Sequence, residues 1–67
     1  MKVYYAYYEY TNGDAALECQ GEFEDRNAAR VDAMAQVNSD HTIKALVAVT
    51  TDADFYPINL YYGRESS

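Results

Sequence analysis

Lys2 to Phe23 reads KVYYAYYEYTNGDAALECQGEF, and the dipeptide at its middle decides how the chain folds. Asn12-Gly13 lies between two runs of strand character. Asn-Gly in that setting is the strongest short-range hairpin signal, because both central positions of a type I′ turn take positive φ. The run before it, Lys2 to Tyr10, is crowded with tyrosines that suit a pleated surface. The run after it, Ala15 to Phe23, alternates: Leu17, Cys19, Gly21 and Phe23 on one side, and Glu18, Gln20, Glu22 and then Glu24 on the other. A two-residue loop pairs Thr11 with Asp14, and so sets Tyr8 opposite Leu17, Ala6 opposite Cys19 and Tyr4 opposite Gly21. These pairs belong to the core face. Val3, Tyr5, Tyr7 and Glu9 then share the other face with Ala16, Glu18, Gln20 and Glu22. A three-residue bulged loop would shift the parity and exchange the faces of the first strand, so the turn type carries this assignment.

Downstream, Asp25 is an N-cap candidate and Asp25 to Asn38, DRNAARVDAMAQVN, is rich in alanine and free of Gly and Pro, the pattern of one helix. Ala28, Val31, Met34 and Ala35 fall at helical spacing toward the sheet, with Arg26, Arg30, Asp32 and Gln36 toward solvent. Asn38-Ser39-Asp40 ends the helix. Thr42 to Thr51, TIKALVAVTT, is the most apolar strand and is expected to be central, with Ile43, Ala45, Val47 and Val49 facing the helix and Lys44, Leu46, Ala48 and Thr50 on the open face. Thr51 to Asp54 forms a second hairpin loop into Phe55 to Tyr62, FYPINLYY, an edge strand because Pro57 cannot donate to a ladder. Gly63 to Ser67 is a short polar tail that frays. The expected fold is α+β, a single domain over 1–67. Its plan is ββαββ: one four-stranded antiparallel sheet of order 2-1-3-4 with a single helix packed on one face.

Length and composition narrow the functional classes. A domain of 67 residues buries only roughly 60% of its unfolded surface, so it needs a staple, an oligomer interface or a very regular core. One cysteine allows no intrachain disulfide, and one cysteine with one histidine cannot fill a four-ligand zinc site without carboxylates or a second chain. Eleven acids against five bases give a net charge of −6. Lys2, Arg26, Arg30, Lys44 and Arg64 are too scattered for a phosphate-binding stripe, which argues against direct nucleic-acid binding and against an anionic membrane surface. A basic protein surface is the natural electrostatic partner. The first ten residues lack the apolar stretch of a signal peptide, and no run approaches a membrane span, so a cytoplasmic protein is expected.

The inventory for catalysis is thin. His41 sits at the junction of helix and third strand, where capping or plain exposure is the simpler role. Cys19 falls on the apolar face in this register, as a buried structural thiol. Asp52-x-Asp54 lacks the longer patterned loop of an EF-hand and reads as turn chemistry. No enzyme, cofactor or metal site is expected. The tyrosines say more. Five of the chain's eight lie on the first strand, and one short helix covers only one face of a sheet, so Tyr5 and Tyr7, joined by Tyr61 and Leu46, should form an exposed amphipathic patch. Glu9, Glu18, Gln20 and Glu22 interleave with them. Tyr5, Tyr7, Glu9, Glu18, Gln20, Glu22 and Tyr61 are therefore the candidate partner-binding residues. Carboxylates spaced along strands can imitate a phosphate backbone, although solvated edge-protecting charge explains the glutamates alone.

In size, charge and layout, over the whole chain, this combination resembles small phage-encoded anti-defence proteins, especially anti-CRISPR inhibitors of type I systems. The resemblance implies stoichiometric binding to a CRISPR surveillance complex or nuclease in a bacterial host cytoplasm. Such a protein acts as a DNA mimic in a basic channel or blocks recruitment of a partner. The alternative is a small homodimeric structural or interaction module that stacks its open faces. A small-molecule binder with a tyrosine-lined pocket is a minor third reading.

Overall fold

The computed structural model describes residues 1–56. They form β1 (Lys2–Tyr10), β2 (Ala15–Phe23), α1 (Arg26–Ser39) and β3 (Ile43–Thr50). The sheet is antiparallel in the order β2-β1-β3. The α+β class and the 2-1-3 part of the expected order hold. Among the described residues β1 is flanked on both sides, as that order requires, and the central place expected for β3 turns on a fourth strand outside them. The fourth strand expected over Phe55 to Tyr62 lies mostly outside the described residues, and Tyr61 lies outside them entirely.

The hairpin turn differs from the sequence expectation. The Gly13 N–H donates to the Tyr10 carbonyl at 3.1 Å and the Tyr10 N–H to the Asp14 carbonyl at 2.8 Å. Gly13 has φ 94°, while no non-glycine residue among those described has positive φ. A type I′ turn would need Asn12 there as well, so the loop is the three-residue kind, Thr11 to Gly13, closed by one left-handed glycine. Asn12 braces it, accepting the Asp14 N–H on Oδ1 at 3.0 Å. Pairing from this turn sets Tyr8 opposite Ala16, Tyr7 opposite Leu17, Ala6 opposite Glu18 and Tyr5 opposite Cys19. A bulge then inserts Gln20, with Gly21 at φ 100°, and the expected register resumes at Tyr4–Gly21.

Strand 1 keeps its expected faces; the turn-proximal part of strand 2 exchanges its own. Ala6 and Tyr8 lie in the core cluster with Ala33 and Ile43, and Tyr10 packs against it. Their partners Ala16 and Glu18 share that helix face, whereas Leu17 and Cys19 move to the open one. Cys19 is exposed, not the buried thiol expected. Two bulges in β3, at Lys44 and Val47, repeat the effect. Ile43, Leu46 and Val49 pack on the helix side, and Ala45 pairs with Glu9 on the open side. Of the residues expected toward the helix, Ile43 and Val49 hold and Leu46 replaces Ala45.

Asp25 caps α1 as expected, its carboxylate accepting the Ala28 N–H at 2.8 Å. The buried stripe is Ala29 and Ala33, with Val37 packed on the core. Val31 and Met34, expected inside, are 60% and 38% exposed. Tyr8 rises from the sheet into this space, so the facing helix positions carry methyl groups, and larger side chains at those positions would overpack. The hairpin tip is tied to the far strand by the Thr11 N–H on the Thr42 carbonyl, 2.9 Å.

Candidate functional site

The face expected to bind a partner is divided between the two sides of the sheet. Tyr5, Tyr7, Glu9 and Glu22 lie on the open side, away from α1, beside Leu17 and Cys19. Tyr7 is not an exposed contact residue there. It is only 8% exposed, and the ring of Phe55 stands edge-on to it at 5.9 Å and 70°. The turn after β3 brings Phe55 back: the Asp54 N–H donates to the Asp52 carboxylate at 2.9 Å and the Phe55 N–H to the Asp52 carbonyl at 3.1 Å. Asp52 therefore acts as a turn residue, the role its sequence setting favours.

Glu18 and Gln20 are on the helix side, which separates them from Tyr5 and Tyr7. The Tyr10 hydroxyl donates to Glu18 at 3.3 Å. Gln20 Nε2 donates to the Ala29 carbonyl at 3.0 Å and to the Asp32 carboxylate at 3.1 Å, while its buried Oε1 has no partner among the described residues. The helix packs chiefly against β3 and less against β1 and β2. That offset leaves a cleft of about 450 Å³ between α1 and the hairpin, with Tyr8, Tyr10, Glu18, Gln20, Asp32 and Asp40 in its lining. A second hollow of about 490 Å³ adjoins it toward the hairpin tip, lined by Asn12, Asp14 and Thr42 and sharing Tyr10 and Glu18 with the first.

The electrostatics of the cleft follow from these neighbours. Burial first, and then the charges of Asp32 and Glu18 with Tyr10, push the Tyr8 phenol above its ordinary pKa. Tyr10 is pushed up too, by burial and then by Glu18, both through its charge and through the shared hydrogen bond, with Asp40 adding to it. Asp40 is held below the usual carboxylate range because it accepts the Thr42 hydroxyl at 2.6 Å and the Thr42 N–H at 2.9 Å, with His41 nearby. Asp40 thus keeps its charge where the helix hands over to β3.

Sequence reasoning singles out Glu18 and Gln20 but not Tyr8, Tyr10, Asp32 and Asp40, which the fold brings to them. The available signal is the turn, since a three-residue loop in place of a two-residue one puts Glu18 and Gln20 on the helix face. No grouping of three His, Cys, Asp or Glu side chains suited to a metal occurs among the described residues. No helix among them is long and apolar enough to cross a membrane. No protein-family model, curated protein or solved structure matches the chain.

Proposed function

We propose that this protein is a non-catalytic acidic binding protein that docks on the basic surface of a protein partner. The observation that carries this reading is the convergence of Glu18, Asp32 and Asp40 with two tyrosines on one cleft, in a chain of net charge −6. Opposite potentials speed encounter and fix orientation, and tyrosine supplies rigid contact area with a polar tip. The relocation of Glu18 moves the docking surface from the open sheet face to the helix side. The reading's specific form, taken from the resemblance in size, charge and layout, is an inhibitor of a bacterial nucleic-acid-binding defence complex, with carboxylates standing where DNA phosphates would lie. It also retains the fourth strand, Phe55 to Tyr62, next to β3; the return of Phe55 onto Tyr7 supports a chain that turns back there.

The test is association with a purified type I CRISPR surveillance complex at low and high ionic strength, with DNA binding by the complex measured in parallel. Stoichiometric association that weakens with salt and displaces DNA is the expected result. Absence of association at low salt removes this target. Sedimentation of the isolated protein as a dimer, with no basic partner bound, would favour the homodimeric module instead.

A further inference from the structure

We infer that the cleft between α1 and the β1–β2 hairpin receives an arginine side chain of the partner. This deepens the acidic-binder reading and rests on it. The cleft presents acceptors from three directions: Glu18 on β2, Asp32 on the middle of the helix and Asp40 at its C-terminal end. Among the described residues no lysine or arginine lines it. The half-buried ring of Tyr10 forms part of its wall, backed by the core ring of Tyr8, with centroids 6.4 Å apart and planes tilted by 57°. A guanidinium suits this lining better than an ammonium, because it carries five donors in a plane, stacks on aromatic faces and is more weakly hydrated.

The wall is also built in advance. Gln20 ties β2 to the helix backbone at Ala29 and orients the Asp32 carboxylate through the same amide, so neither has to be ordered when a ligand arrives. Glu18 keeps acceptor capacity, since the single bond it accepts from Tyr10 is 3.3 Å, long for a hydroxyl on a carboxylate. An entering guanidinium can take over that oxygen while Tyr10 remains as a ring wall.

The experiment titrates the intact protein with a short blocked glycine–arginine peptide, its lysine counterpart and its citrulline counterpart. Backbone and side-chain amide shifts are followed by NMR at low and high salt. The arginine peptide should bind best and lose on the order of tenfold in affinity at high salt. Citrulline should not bind, and the shifts should centre on Tyr8, Tyr10, Asp32 and the Gln20 side-chain amide. D32N should weaken arginine binding several-fold, and E18Q supplies the same test through an exposed residue should D32N fold poorly. Equal affinity for lysine and arginine would overturn the guanidinium assignment while leaving the basic-partner reading intact. Shifts centred on Val3, Tyr5 and Glu22 would overturn the site. If none of the three peptides bound at low salt, the inference would fail, while the broader reading would still stand or fall on association with the intact basic partner.

Discussion

Replacing Gly21 by alanine tests the bulge at Gln20, beyond which β2 returns to the Tyr4–Gly21 register. Gly21 has φ 100°, and a methyl group built on it would meet nothing within 4 Å. The penalty is therefore backbone strain without a clash. A non-glycine residue held at positive φ costs about 1–3 kcal/mol, and alanine recovers part of this, roughly 0.4–1 kcal/mol, by restricting the unfolded chain. A net loss of about 1–2 kcal/mol is expected. For a chain of 67 residues the unfolding entropy is about 0.14 kcal/mol/K, so the midpoint should fall by roughly 7–14 °C. Thermal unfolding followed by circular dichroism reads this directly. G13N is the contrasting control: Gly13 also has positive φ with open space around it, but asparagine tolerates that region and should cost much less. A Tm for G21A equal to or above the parent would contradict a left-handed Gly21. Gln20 would then not be the inserted residue that returns β2 to the Tyr4–Gly21 pairing.

Other consequences are checked as simply. A33L should lose at least about 1–3 kcal/mol by overpacking the helix–sheet contact, whereas V31A should stay within about 0.5 kcal/mol, because Val31 is mostly exposed; denaturant titration separates the two. D25A, which removes the bond to the Ala28 N–H, should cost about 1 kcal/mol in the same assay. Cys19 should react with an aromatic disulfide reagent in the native state at a rate that denaturant changes little, as its exposure requires; strong native protection would contradict it. Tyr8 and Tyr10 have folded-state pKa values above their ordinary value of 10.0. Their contribution to stability is therefore fully present below pH 10 and is lost as pH rises through the folded values, because the unfolded chain releases those protons first. Tyrosinate absorbance should show late-titrating phenols, and the Y10F variant should remove one of them.

Much of the scaffold is legible in the amino-acid sequence. Both first strands occupy their expected spans because aromatic density and alternation are local properties, and α1 begins where Asp25 can cap it. What sequence periodicity misses is parity. Each bulge moves every later side chain to the other face: those at Lys44 and Val47 separate expected from observed faces in β3, whereas in β2 the three-residue turn makes the change and the bulge at Gln20 undoes it. Gly21 alone beside these positions carries a warning; lysine and valine give none. The helix face is misread for a different reason. Hydrophobicity favours Val31 and Met34 as buried residues, but Tyr8 packs into the core with Ala33, and the helix buries the stripe of Ala29 and Ala33 instead. The candidate site inherits both effects. Glu18 and Gln20 stand out as polar residues on a strand, yet their neighbours Asp32 and Asp40 come from α1 and its C-terminal end, and no local pattern predicts that meeting.

The most direct test of the central claim compares charge reversals on the two sides of the sheet, E18K and E22K, in binding to the same basic partner at low ionic strength. The two changes are equal in formal charge and lie on one strand, four residues apart, but Glu18 lines the cleft and Glu22 pairs with Val3 on the open face. E18K is expected to weaken binding by more than tenfold, on the order of breaking a close interfacial charge contact, while E22K should weaken it only by the smaller long-range effect of net charge. Loss of binding in E22K with E18K unaffected would contradict it and return the functional surface to the open face.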